Sequence, residues 1–490
     1  MTPLAVAKDG KPKYIFYFIG DGMGLAQVTG AEVLLNSSLP QEKISLDKKL
    51  SLTQFPIAVP TRTLSNDSFI TDSAAAGTAL ATGRKTNNGM IAVSPDNSQS
   101  YDSIAKKALQ TGRKIGIVSS VSLDHATPSV FYAHQGSRSS YYDIARQMAT
   151  SGFHYFGGGG LEGNMKRKPQ EADLFETLRK SGYHIARGRK EIAAAPRVKN
   201  SKIYALDDKL EDGQAIPFSL DQKQGNQGMT LAEFTQKGIE LLKNDKGFFM
   251  MVESGQIDWL CHANDGGAAL QEVIAFDEAI QSALKFYRNH PNDTLIVVAA
   301  DHETGGMTIG QASTGYATYF YRLGKQKVSN ARFTDLLQKK IAERKTKTTV
   351  SDVMPLVTEL LGLTDLDTET VTRLKQKAES KDPKAMEDLA MNITMEEKEQ
   401  MILALKETLT PPQEDDPAAA RNLKLYGSGD PFTVTVFRIL NARAGIGWTS
   451  NAHTGVPTIT YAIGKGSEQF NKGILDNTQV ADKLSKLIEK

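Results

Sequence analysis

The strongest constraint on the fold is a set of five apolar runs that do not alternate with polar residues: Tyr14–Ile19, Lys114–Val118, Phe248–Val252, Leu295–Ala300 and Thr458–Ile463. An unbroken apolar run suits a strand covered on both faces, whereas a strand with one wet face alternates. Between the runs, Tyr101–Gln110, Tyr141–Thr150, Leu231–Leu242 and Ala268–Tyr287 carry apolar residues at three- and four-residue spacing. That is the period of an amphipathic helix. Strands alternating with helices predict an α/β fold, with a mostly parallel central sheet and helices on both faces. In such sheets, ligands gather outside the carboxyl ends of the strands.

That rule picks out residues. Gly20-Asp21-Gly22-Met23-Gly24 follows the first run, and Asp124-His125-Ala126-Thr127 comes soon after the second. Glu253, Asp258, Trp259 and His262 follow the third, and Asp301-His302-Glu303 the fourth. One polar loop would mean little; four in series, near what should be one sheet edge, point to a site. His453 lies in Asn451-Ala452-His453-Thr454-Gly455, shortly before the last run. Aspartate and histidine are ligands that Zn²⁺ accepts at about 2.0–2.2 Å. Asp258 and His262, four apart, can share one side of a helical turn.

A second element is Thr71-Asp72-Ser73, which opens a small-residue segment running to Gly83. It reads as a helix start, with Asp72 placed to cap and Ser73 in the first turn. Free amides and the dipole at such a start favour an anion. The same composition also reads as a close-packed helix with a polar start.

Charge narrows the partners. The chain has 58 Lys+Arg against 56 Asp+Glu, a formal net charge of +2. This balance argues against binding nucleic acid or an acidic membrane by bulk charge. A single cysteine, Cys261, excludes an intrachain disulfide. No run approaches the ~18 consecutive apolar residues of a transmembrane segment. Met1–Lys8 is too short in apolar residues for a signal-peptide core, so no signal peptide is visible.

From Lys325 the composition turns rich in Lys, Glu, Gln, Asp and Leu, with helical periods at Phe333–Lys345, Val350–Leu361, Glu369–Ala378 and Met395–Leu409. Thr394 and Glu397 are spaced as a capping box. Thr410-Pro411-Pro412 and the acidic Glu414-Asp415-Asp416 break the pattern. Length alone suggests about three domains at roughly 150 residues each. The motifs instead predict one catalytic α/β domain, residues 13–324 and 445–490, with a mainly helical insertion at 325–444.

The order of Gly20–Gly24, Thr71-Asp72-Ser73-Ala74-Ala75, Asp258…His262, Asp301-His302 and His453-Thr454-Gly455 resembles the alkaline phosphatase family. The resemblance covers roughly residues 13–310 and 445–465. His125-Ala126-Thr127-Pro128, Ala133–Arg138 and Lys246–Glu253 match as well. It implies hydrolysis of small phosphate monoesters to alcohol and inorganic phosphate through a phosphoserine at Ser73, with Arg138 clamping the phosphate. It further implies two zinc ions, one held by Asp258, His262 and His453, the other by Asp21, Asp301 and His302 with Ser73. A third, magnesium-type site falls to Asp21, Thr127 and Glu253. The family also implies a periplasmic or secreted location, and homodimers are common in it.

Two positions depart from the best-known bacterial pattern. His125 stands where Asp is common, and Trp259 where Lys is common. An imidazole weakens the case for tight Mg²⁺, which prefers oxygen ligands. An indole supplies no positive charge near phosphate. The alternatives are a phosphodiesterase or sulfatase-like member of the same superfamily, or a non-catalytic zinc- or phosphate-binding protein. Ser73 with Arg138 favours the monoesterase. Gly157–Gly160 reads as a turn, Cys261 as a buried filler, His134 as structural, and Glu303 as support for its neighbours.

Overall fold

The computed structural model describes residues 11–38, 45–195, 201–225, 228–344, 347–413 and 415–489. The Met1–Lys8 segment and Glu414 of the acidic linker lie outside the described residues. In chain order the strands are β1 (Tyr14–Gly20), β2 (Ile57–Arg62), β3 (Lys114–Ser119), β4 (Tyr155–Gly158), β5 (Tyr183–Arg187), β6 (Lys202–Leu206) and β7 (Phe248–Ser254). They continue with β8 (Thr294–Ala300), β9 (Glu303–Thr304), β10 (Thr308–Ile309), β11 (Ile446–Gly447), β12 (His453–Thr454), β13 (Thr458–Gly464) and β14 (Leu475–Asp476).

Ten of these form one sheet in the order β14-β2-β13-β8-β1-β7-β3-β4-β6-β5. Only β13 runs against its neighbours, pairing antiparallel with β2 and β8. The expected α/β architecture is therefore present, with all five apolar runs as strands. β1 lies between β7 and β8, and every residue of the three is buried. On β1, Ile15, Tyr17 and Ile19 belong to one buried cluster, while Phe16 and Phe18 belong to the other. Helices cover both faces, which is why these strands carry no polar alternation.

Register then positions the site. Gly20 pairs with Ser254 on β7 and with Ala300 on β8. The three central strands thus end level, so Asp21 and Asp301 leave adjacent strand ends together. Glu253 pairs with Ile19 on one side and Ser119 on the other.

The glycine run corrects one expectation: Gly157 and Gly158 belong to β4 rather than a turn. Gly158 has φ of +127°, and a Cβ there would run into the Ser119 carbonyl oxygen. The glycines let two backbones meet where a side chain would not fit. β2 went unmarked because it alternates, burying Ile57, Val59 and Thr61 while exposing the residues between.

The insertion contains the four expected helices, at Asn330–Arg344, Val350–Leu361, Thr368–Glu379 and Met395–Leu409. The Thr394–Glu397 capping box is formed. Three more helices, Pro383–Ala390, Pro417–Tyr426 and Pro431–Ala444, each start with proline after an aspartate cap. Proline tolerates the first helical position because that amide has no partner in the helix. A buried cluster runs without a break from Phe16 and Phe18 through Phe276 to Phe333, Phe432 and Phe437. The root of the insertion is tied to two buried carboxylates. Asp265 accepts from Gln326 Nε2 at 2.7 Å and the Asn330 amide at 2.8 Å. Asp221 accepts from the Ser329 amide and hydroxyl at 2.8 and 2.6 Å.

Candidate active site

Ser73 is the first residue of the helix Ser73–Thr82, and Asp72 caps it by accepting from the Ala75 amide at 2.9 Å. The helix buries nine of its residues, Ser73 among them. Its alanines and glycine let it sit close against the helix Ala126–Ser129: a Cβ on Gly77 would lie 3.3 Å from Val130. The close-packed reading of this segment is the observed one, and it leaves Ser73 buried at the helix start. Ser73 Oγ lies 3.2 Å from His302 Nε2. The second Asp72 oxygen holds Arg138 Nη1 at 2.9 Å, and Arg138 Nη2 lies 3.3 Å from His125 Nε2.

Around this helix start the strand ends gather three donor sets: Asp258, His262 and His453; Asp21, Asp301 and His302; Asp21, His125 and Glu253. Within each set the donor atoms lie within 4.8 Å of one another. Asp258 and His262 share the helix Gln256–His262, with His262 Nε2 3.3 Å from Asp258 Oδ2. His453 arrives from across the insertion; its Nε2 is 3.1 Å from His262 Nε2, and its ring stacks on His302 at 3.6 Å. Thr127 Oγ1 lies 3.3 Å from Asp21 Oδ2. Trp259 is half-buried and meets the His125 ring edge-on at 6.0 Å. All twelve residues that the sequence singles out thus come to one end of the sheet.

The electrostatics call for cations. Burial first, and then the neighbouring carboxylates, push Asp21 and Asp301 well above the usual carboxylate range. Burial likewise raises Glu253 to about 7. Burial also pushes Asp258 up, but its bond to His262 and the nearby histidines outweigh this and hold it low. His125 is lowered to about 3 by burial and then by Arg138. His302 is pushed well below its ordinary value by burial and then by His453. Neutral imidazoles are the metal-binding form. Asp21 Oδ1, Glu253 Oε1, Asp301 Oδ2 and His125 Nδ1 are buried with no hydrogen-bond partner among the described residues. Such atoms are costly unless something else pairs them. Carboxylate and imidazole donors at this spacing fit divalent cations.

Several residues hold this arrangement through contacts that carried no sequence signal. Thr304 Oγ1 donates to Asp258 Oδ1 at 2.5 Å and lies 3.2 Å from His302 Nδ1. The Asn451 carbonyl lies 2.6 Å from His262 Nδ1, and the Thr71 carbonyl 2.8 Å from His453 Nδ1. Partners on the far ring nitrogen fix the tautomer that leaves Nε2 free for a ligand. Glu303 accepts from Gln27 Nε2 at 2.8 Å and from the Thr454 hydroxyl, tying β9 to the β12 strand that carries His453. Asp124 accepts from the Glu162 and Gly163 amides and joins none of the three sets. His134 Nδ1 lies 3.0 Å from the Ala92 carbonyl, away from the donors. Cys261 is buried, with Gln27 Nε2 3.7 Å from its sulfur.

The sequence matches the Alkaline phosphatase family across residues 12–489. Alkaline phosphatase 4 of Bacillus subtilis (strain 168) is 30% identical over 484 residues, covering 97% of this chain and 88% of that protein. The cold-active alkaline phosphatase of a psychrophilic Shewanella has the same fold at a TM-score of 0.74 and 26% identity, covering 97% of this chain and 100% of that one. A variant of TAB5 alkaline phosphatase, solved with Mg bound in its M3 site, matches at a TM-score of 0.62 and 22% identity over 99% of both chains. A family match from residue 12 to residue 489 leaves neither the sheet nor the insertion outside it, and this chain is a member of the alkaline phosphatase family, a metal-dependent family of phosphomonoester hydrolases.

Proposed function

We propose that this protein hydrolyses phosphate monoesters in two steps through a phosphoserine at Ser73. The observation that carries the reading is the helix start at Ser73: a buried hydroxyl 3.2 Å from His302 Nε2, with the Arg138 guanidinium held beside it by Asp72. Arg138 pairs two phosphate oxygens at once, since a guanidinium is a planar fork. Asp72 aims that fork and keeps its charge local. Ser73 Oγ attacks phosphorus in line and gives up its hydroxyl proton to solvent, while the bond from phosphorus to the substrate oxygen breaks and the departing alkoxide takes a proton from water to leave as the alcohol. A water molecule then attacks the phosphoserine from the vacated side, releasing inorganic phosphate and restoring the hydroxyl. The amides of the first helical turn and the helix dipole favour the phosphoryl charge throughout.

Asp258, His262 and His453 would hold one zinc, and Asp21, Asp301 and His302 the other, beside Ser73. Asp21, Thr127 and Glu253 would hold a third ion, of magnesium type, with His125 adding a nitrogen at that edge. Bound there, the cations supply Lewis-acid charge and make hydroxyl oxygens better nucleophiles at neutral pH. The catalytic domain at 13–324 and 445–490, the insertion at 325–444, export from the cytoplasm and a homodimer belong to the same proposal. No described helix is long and apolar enough to cross a membrane.

Ser73→Ala tests the chemistry. The variant should keep its bound zinc while turnover of nitrophenyl phosphate falls by roughly 10³-fold or more. Acid-quenched wild type should carry labelled phosphate on Ser73. Full activity in the variant, or after complete zinc removal, would sink the mechanism. Bis-nitrophenyl phosphate and nitrophenyl sulfate should be far poorer substrates; a preference for either would favour the diesterase or sulfatase reading.

A further inference from the structure

A cavity of about 940 Å³ opens beside the candidate active site. His262, Trp259 and Asn451 line its near side, and Ala331, Asp335 and Tyr426 of the insertion line the far side. A phosphate ion needs only a fraction of that space; organic ligands fill sites of about 300–1,000 Å³. We infer that this cavity receives the alcohol half of the substrate, and that it selects phosphate monoesters of uncharged organic alcohols about the size of a nucleoside. The inference rests on the phosphatase reading above, because it takes the phosphoryl group to sit at Ser73.

Two features of the lining support that class. The first is a fixed aromatic wall. The Trp259 indole packs over Gly213, where a Cβ would lie 2.7 Å from the ring, and stands edge-on to His125. Phe218 and Phe437 add buried apolar surface. A ring system held in place offers a stacking face with little ordering cost. The second is charge. Five carboxylates, those of Glu211, Asp212, Asp221, Asp335 and Asp430, line the cavity with one guanidinium, Arg332, and one imidazole, His262; Asp221 also accepts from Ser329 and Asp430 from the Thr433 amide. A lining with an excess of one sign disfavours ligands of that sign. A substrate with a second phosphate on its alcohol half would bring it into this negative field.

The test is a substrate series on the metal-loaded protein: methyl phosphate, a nucleoside 5′-monophosphate and the matching 3′,5′-bisphosphate. The monophosphate should exceed methyl phosphate in kcat/KM by ~10-fold or more, a ratio of the size binding pockets achieve. Ala331→Trp fills the cavity from an exposed first turn and should bring that ratio toward one. Wild type should turn over the bisphosphate less well than the monophosphate; the double variant Asp212→Asn, Asp335→Asn should raise the bisphosphate relative to the monophosphate, and salt should narrow the wild-type gap. Equilibrium dialysis with the labelled free nucleoside reads the cavity without hydrolysis. Binding by wild type that Ala331→Trp abolishes would uphold the cavity even if no phosphate were released, and only the phosphatase reading would then fall. Equal kcat/KM for methyl phosphate and the monophosphate, or no bound nucleoside, would overturn the inference.

Discussion

Two groups of buried carboxylates, one at the strand ends and one at the root of the insertion, behave in opposite ways. Asp21, Glu253 and Asp301, at the strand ends, each keep an oxygen without a hydrogen-bond partner among the described residues. Asp265 and Asp221, at the root of the insertion, have both oxygens engaged. Asp265 accepts from Gln326, Ala268 and Asn330, and Asp221 accepts twice from Ser329. Both groups are pushed up by burial. Burial and a raised pKa therefore do not distinguish a site from a joint. What distinguishes them is whether the chain itself completes the coordination of the carboxylate.

Substitution should separate the groups by sign. Asp301→Asn should cost the most activity, on the order of 10²-fold or more, with loss of zinc. It should also raise the melting temperature of the metal-free protein. Asp301 Oδ1 already accepts from Gly22 and His302 amides, which asparagine retains, while a buried negative charge is removed. A metal-free variant that melts below wild type would undo the contrast.

Asp265→Ala should do the reverse, destabilising the fold by about 2–4 kcal/mol as buried donors lose their acceptor, with zinc content per folded molecule preserved. Thermal melts and metal analysis read both effects. The same residue predicts a pH dependence. Its carboxyl is raised to about 7, mainly by burial, against about 3.9 in an unfolded chain. Its contribution is then fully present below about pH 4 and is lost as pH rises through about 7. The melting temperature of wild type minus that of Asp265→Asn should therefore fall between pH 5 and pH 8; a flat difference would refute the assignment.

The smallest expected effect lies at the edge of the bare group. Trp259→Lys adds a positive charge near the phosphate position and should tighten inhibition by inorganic phosphate a few-fold. An unchanged inhibition constant would show that Trp259 does not face the phosphate.

Much of this was legible in the chain because strand ends are a simple code. Once β1, β7 and β8 are recognised as buried strands, the residues that follow them must meet, and Asp21, Asp258 and Asp301 do. The helices that begin at the Asp-Pro pairs of Asp382, Asp416 and Asp430 were passed over, because apolar period alone does not mark them and Asp416 read as part of a break in the pattern. Thr304, Asn451 and Gln27 were not readable. Their roles depend on side chains or carbonyls brought within bonding distance from remote segments, and nothing in their local sequence records that.

The sequence by itself determined the fold class, the order of the carboxylate and histidine side chains along the strand ends and the small-residue helix that opens at Ser73, because apolar period and strand-end position are local properties of the chain. Only the tertiary structure decided which donors share a set. It placed His125 with Asp21 and Glu253, stacked His453 on His302 across the whole insertion, and paired Asp72 with Arg138. It also made the insertion a wall of the cavity beside Trp259. The reason is physical: register and helix packing set distances between residues far apart in sequence, and coordination, charge pairing and cavity shape depend on those distances alone.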